Sequence, residues 1–284
     1  MIVDEKKLQQ HLTSEKFNIE VSKVLGFKEN DDEIAVLATS VDKRFVMVKK
    51  FFANVDGFHD EYQALANQIA LDISSTIKIC ENIVYKTNIL SDWSVAKSAI
   101  KPAIRPRKDD GFVRIPYLDL DIVFYVDLCE HLGSHFYVRK EDIQNWGISS
   151  EELLLAANIN NSKYYSSSVA SECIHRIGYI PLGAYCCELF VVSSLSRKNG
   201  AYVMTQVEFL EYLANDFESD LVIFPSSIHE ILVVPLNATT GTGEWFDEII
   251  ESINSDSVFP FDLLSSHHYL YKRGSLEVTY ENNL

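Results

Sequence analysis

The strongest constraint on the fold is a unit that recurs along the chain: a strand, a tight turn, a second strand, then a helix. Asp121–Leu128 and His135–Arg139 read as two strands, with Gly133 in the turn and a helix from Glu141. Cys186–Ser194 and Ala201–Thr205 repeat the order, with Gly200 in the turn and a helix from Val207. Ile143 and Trp146 follow Gly133 at the offsets at which Leu210 and Leu213 follow Gly200. A third copy runs Asp220–Pro225, Glu230–Leu236, then a helix over Glu244–Asn254. Near the start, a strand at Ile19–Leu25 precedes a looser fourth copy. It consists of Glu33–Thr39, Arg44–Ala53 and a helix over Asp60–Thr76. Strands joined by short turns pair antiparallel, and each helix must bury its apolar face on the sheet. The expected class is therefore α+β, with antiparallel hairpins and helices packed on one face.

Finer signals agree with this pattern. Tyr62, Leu65, Ala66, Ile69, Ile73 and Ile77 form one face of a helix. Ser149 with Glu152, and Thr205 with Glu208, have capping-box spacing at helix starts. Residues 1–16 read as a short polar helix, and Asn160–Ser168 and Asn237–Gly243 read as loops.

Residues 97–118 differ in composition from what flanks them. Three of the seven prolines lie here, and Lys97, Lys101, Arg105, Arg107, Lys108 and Arg114 oppose only Asp109 and Asp110. The segment reads as an extended arm and loop connecting an α+β domain at 1–96 to a second at 119–284. So many charges do not enter a core unpaired, so they are expected on the protein's own acidic surface. Arg105, Arg107 and Lys108 are the alternative contact for an acidic partner, because guanidinium forks match carboxylates.

The net charge of −16 argues against nucleic acid and against an anionic membrane surface, and leaves a protein partner as the expected kind of contact. The apolar runs are far shorter than the roughly 20 residues of a membrane span. Five cysteines without a C-x-x-C pair form neither a disulfide framework nor a zinc pattern. With a polar N-terminus, they point to the cytoplasm. No metal and no cofactor is expected. Gly241 and Gly243 lack the rest of a phosphate-binding loop.

The densest chemistry lies at Ser226, Ser227, His229 and Glu230, between two apolar strands. Ser, His and Glu can serve as nucleophile, base and orienter, and His267 or His268 after Ser265 and Ser266 offers a second source of imidazole. Neighbouring side chains diverge, however, and no G-x-S-x-G elbow surrounds the serines. A turn whose hydroxyls bond the backbone is the simpler reading. Asp119 and Asp121 share a strand face that could take a hard cation, and His131 and His135 flank a turn; each reads as a solvated rim.

Residues 225–235 and 263–269, with Asp121–Leu128, Phe136–Val138 and Trp146–Leu153, resemble uncharacterised bacterial families. These are the YtpQ-like kind, common in Firmicutes, and their clostridial relatives, and the likeness covers about residues 119–284. The resemblance implies an intracellular bacterial protein and no particular activity. The expected function is a non-enzymatic protein-binding or regulatory module. The alternative is a hydrolase-like enzyme using a Ser/His rim at 226–230 and 265–268.

Overall fold

The computed structural model of the chain describes residues 4–12, 17–23, 33–40, 44–52, 59–129, 134–162, 170–182, 185–241 and 243–280. The chain divides into two compact units. The first takes Met1–Lys101, Gly111–Val113 and Phe124–Ala157, the second Pro102–Asp110, Arg114–Val123 and Asn158–Leu284.

In the first unit, β1 (Phe17–Lys23), β2 (Glu33–Ser40) and β3 (Phe45–Phe52) form an antiparallel meander. Period-2 alternation sends Ile34, Val36 and Ala38 to one face, against α1 (Glu5–His11) and α2 (His59–Thr87). The core there joins Leu8, Ile19 and Met47 to Tyr62, Leu65, Ile69 and Ile73 of α2. The helix runs past the expected end at Thr76. Ile77 and buried Cys80 continue the apolar stripe, and no Gly or Pro interrupts it before Thr87. β3 pairs with β7 (Ser134–Tyr137), and β7 with β6 (Leu120–Cys129). The helix α4 (Lys140–Trp146) follows and closes on Gly147 at φ +67°, the left-handed geometry glycine favours at a helix end. Ser149 Oγ accepts from the Glu152 amide as α5 (Ser150–Asn161) begins, which is half of the expected capping box. The loop expected over Asn160–Ser168 is helical at its start; residues 163–169, like His131 and Gly133, lie outside the described residues.

The first sheet has the order β1-β2-β3-β7-β6-β4, where β4 is Ile100–Pro106, and β5 (Arg114–Tyr117) pairs with β6. β4 and β6 each contribute residues to both units. The basic segment is largely engaged. Lys101 Nζ meets Asp127 at 2.6 Å, and Arg114 meets Asp110 at 2.7 Å and Asp121 at 3.2 Å. Arg107 approaches Asp121 at 3.4 Å and donates to the Leu118 carbonyl. Asp121 is buried, so two arginines supply the counter-charge that a buried carboxylate needs.

The second sheet is antiparallel, in the order β13-β12-β10-β11-β9-β8. Its strands are β8 (Ile174–Leu182), β9 (Tyr185–Ser193), β10 (Leu221–Phe224), β11 (Glu230–Pro235), β12 (Tyr269–Tyr271) and β13 (Val278–Thr279). One face carries Cys187, Leu189, Leu232, Val234, Val222 and Phe224 against Phe246, Ile249 and Ile250 of α8 (Glu244–Ser257). On the other face Tyr271 bonds Val207 and Glu211 of α7 (Val207–Asp216). The α+β class with antiparallel hairpins is thus what the chain has, but in this sheet helices cover both faces rather than one. Ala201–Thr205, expected as a strand, belongs to a 3-10 segment, Gly200–Thr205. Ala201, Tyr202, Val203 and Met204 are all buried, whereas a half-covered strand would bury alternate residues. Thr205 Oγ donates back to the Tyr202 carbonyl, so the second expected capping box does not form. β8 was not legible in the sequence. Among the described residues no helix is long and apolar enough to cross a membrane.

Candidate functional site

The second sheet changes character along one face. Residues paired directly across antiparallel strands point the same way. Val191 pairs with His175 on one side and Leu232 on the other, and Ser193 pairs with Glu230. The face that is apolar through Cys187, Leu189 and Leu232 therefore turns polar at its end, at Ser193, Glu230 and His175. The one-turn helix α6 (Ala170–Cys173) leads into β8 at this end, and residues 194–199 leave β9 there.

These elements enclose a cavity of about 190 Å³. Its lining is Glu172, Cys173, His175, Val191, Ser193, Ser194, Arg197 and Glu230. Cys173, Ser193 and Ser194 are buried, while Glu172, His175 and Arg197 are exposed. Burial raises the Glu230 carboxyl above its ordinary range, with His229 and Arg197 drawing it partly back. Burial, then the charge of Glu172, also raises the Cys173 thiol, so it stays protonated at neutral pH and is a poor nucleophile. Among the described residues the Glu230 carboxylate and the Arg197 guanidinium have neither a hydrogen bond nor an ion pair.

The loop that carries Arg197 is held from behind. Arg197 and Asn199 have φ of +54° and +51°, sparsely populated for residues other than glycine. The Asn199 amide donates to His229 Nδ1 at 3.2 Å, and Arg105 donates to Asn199 Oδ1 at 2.7 Å and to its neighbour's Ile104 carbonyl at 2.8 Å. Because Nδ1 accepts, the His229 proton sits on Nε2, which faces Asp262 at 3.4 Å. Ser193 Oγ donates to the His229 carbonyl at 2.6 Å. A Cβ on Gly200 would overlap Ser193 Oγ, the His229 carbonyl and the Ser194 amide, so only glycine fits there.

Each residue singled out in the sequence has a definite place. Ser227 Oγ accepts from the His229 amide at 2.9 Å, a local turn bond. Ser226 is buried; its carbonyl accepts from the Leu264 amide. Among the described residues neither hydroxyl is hydrogen-bonded to an imidazole nitrogen. His267 directs Nε2 at Asp119 (2.8 Å) and Nδ1 at the His268 carbonyl (3.1 Å). Both partners are oxygen acceptors, so either ring nitrogen that carries a proton has a place to donate it. The Tyr269 hydroxyl donates to the other Asp119 oxygen at 2.6 Å. His268 Nδ1 donates to Asp247 at 2.6 Å, and its amide donates to the same oxygen. Asp119 and Asp121 take these separate side-chain partners. Glu230 reaches the cavity, His229 and Arg105 brace its loop, Arg107 is tied to Asp121, and Lys108 is exposed.

Sequence reasoning missed Glu172, Cys173, His175, Ser193, Ser194 and Arg197. The signal that could have found some of them is the break in alternation at Ser193-Ser194, where an apolar strand face ends in two hydroxyls. Among the described residues no group of three or more His, Cys, Asp or Glu is arranged to hold a metal ion. No curated protein and no solved structure matches the chain. Residues 3–273 match the model of a family of unknown function, DUF5688, and the chain belongs to that family.

Proposed function

We propose that the protein is a non-enzymatic binding module with a regulatory role, which holds a small polar molecule in the cavity under Ser193 and Glu230 and acts through contacts with other proteins. The observation that carries this reading is the lining: Glu172, Glu230 and Arg197, charges of both signs, border one cavity beside a thiol held protonated. Buried or half-buried charges are normally paired within the protein, so charges left facing a cavity suit a polar occupant. The hydrolase reading needs a serine hydroxyl bonded to an imidazole. Ser227 is engaged by its own turn and His267 and His268 by aspartates, which favours binding over turnover. Arg107 and exposed Lys108 are the surface we assign to a protein partner. In keeping with the resemblance to YtpQ-like proteins, we take the setting to be the bacterial cytoplasm.

The test is a thermal-melt panel of small charged molecules with the full chain, coupled to mass analysis of each molecule afterwards. The expected result is a raised melting temperature with one charge class and a molecule recovered unchanged. Turnover above the protein-free rate, or a melting temperature that no molecule raises, contradicts the reading.

A further inference from the structure

Resting on that binding reading, we infer that the cavity's ligand is a small zwitterion, its ammonium held by Glu230 and Ser193 and its carboxylate by Arg197. The polarity of the lining leads there. Ser193 Oγ already donates its proton to the His229 carbonyl, so it presents only lone pairs to a ligand. Glu230, paired with Ser193 across β9 and β11, adds a carboxylate on the same face. Together they form an acceptor-only floor, which suits a group with several N–H donors. Glu172 adds a second carboxylate to the lining, so the charge balance is not that of a site for an anion alone.

At the exposed side the complement reverses. Arg197 presents a guanidinium whose fork fits a carboxylate with two parallel bonds. Its backbone is held in the left-handed region by the Ser194–Asn199 loop, and that loop is braced by His229 and Arg105. The backbone that carries Arg197 is thus braced at the rim of the cavity that its side chain lines. Val191 and the Cys173 thiol supply the less polar part of the lining, fit for a methylene or two. About 190 Å³ admits a molecule of a few heavy atoms, well below the roughly 300–1,000 Å³ of pockets that take drug-sized ligands. A free amino acid or short ω-amino acid has this size and carries both charges. A nucleotide does not.

Isothermal titration of the full chain with glycine, β-alanine and 4-aminobutanoate, against propylamine and propionate as half-ligands, tests this. At least one zwitterion is expected to bind tenfold or more tightly than either half-ligand. Glu230→Gln should remove that advantage while leaving propionate binding unchanged. Arg197→Gln, at an exposed position, should remove it while leaving propylamine unchanged. A melting temperature no lower than the parent's excludes unfolding as the cause in both variants. If propionate or another anion binds as tightly as the amino acids and Glu230→Gln has no effect, the zwitterion assignment is wrong while the cavity remains a binding site. If none of these probes and no member of the wider panel binds, both readings fall.

Discussion

The two units each leave a gap in their packing, and the gaps differ in kind. In the first unit a pocket of about 20 Å³ is lined mainly by Ala38, Phe45, Val46, Met47, Ile77 and Cys80. That is room for about one water, with mostly carbon around it, and amounts to a packing defect. In the second unit the gap holds about 190 Å³ and is lined by Glu172, His175, Arg197, Glu230 and two serines. The same principle, alternation along an antiparallel strand, builds both sheets. The difference arises because Lys49, on the core face of β3, is paired with Asp72 of α2, whereas the face in the second unit ends in Ser193 and Glu230 at a cavity. A strand face that ends in charged groups needs something to meet them.

The largest expected effect sharpens the contrast from the apolar side. Ile69 is fully buried in the first unit, and Ile69→Ala should cost about 3–4 kcal/mol in a urea melt. Zwitterion affinity should be unaffected if the binding site belongs to the second unit alone. In the second unit, Asp121→Ala removes the carboxylate shared by Arg107 and Arg114 and leaves Arg114 on Asp110 alone, and should cost about 2–3 kcal/mol by the same measurement. A loss below about 1 kcal/mol would mean that the arginines of the basic segment find other partners. Gly200→Ala should cost about 1–3 kcal/mol and also abolish binding, because the added carbon overlaps Ser193 and the His229 carbonyl.

These effects follow from features of unequal legibility. Val222, Phe224, Leu232 and Val234 announce central strands in the sequence, because both faces of β10 and β11 are buried. The helices α7 and α8 are equally plain from their apolar stripes. β8 is not, because His175, Arg176, Gly178 and Pro181 interrupt the strand pattern; it is an edge strand with a bulge between Arg176 and Gly178. The cavity was hidden for the same reason. Its walls come from a one-turn helix, that edge strand and a loop, and nothing in linear order brings Cys173 beside Glu230. Glu230 drew notice as the orienter in a Ser/His set, whereas its carboxylate faces the cavity. Arg105, which the sequence offers as a contact for the protein's own surface or for an acidic partner, donates to Asn199 Oδ1.

Smaller effects follow from proton linkage. Burial puts the Glu230 carboxyl above its ordinary value of 4.5, so the folded state takes up a proton more readily than the unfolded chain. Stability from this group therefore falls as pH rises past 4.5. Glu230→Gln should raise the melting temperature at pH 7 by about 1–3 °C and leave it near the parent's at pH 4. Zwitterion binding has the opposite slope: it weakens as pH falls, from a pH above 4.5, because the carboxylate that holds the ammonium is lost. At the alkaline end, burial raises Tyr202 from 10.0 to about 12 and also raises Tyr117, Tyr269 and Tyr271, all in the second unit. Their unfolded forms ionise first, so the second unit should lose stability between pH 10 and 12. Trp245 fluorescence, in a chain carrying Trp93→Phe and Trp146→Phe, reports on that unit alone.

The most direct measurement is an amide chemical-shift titration of the full chain with β-alanine. Saturable shifts centred on Cys173, His175, Ser193, Ser194, Arg197 and Glu230 are expected, with Ala38, Phe45, Val46, Met47, Ile77 and Cys80 of the first unit's pocket unmoved. Shifts centred instead on His267 and His268 or on that apolar pocket, or no saturable shift at any amide, would contradict the account.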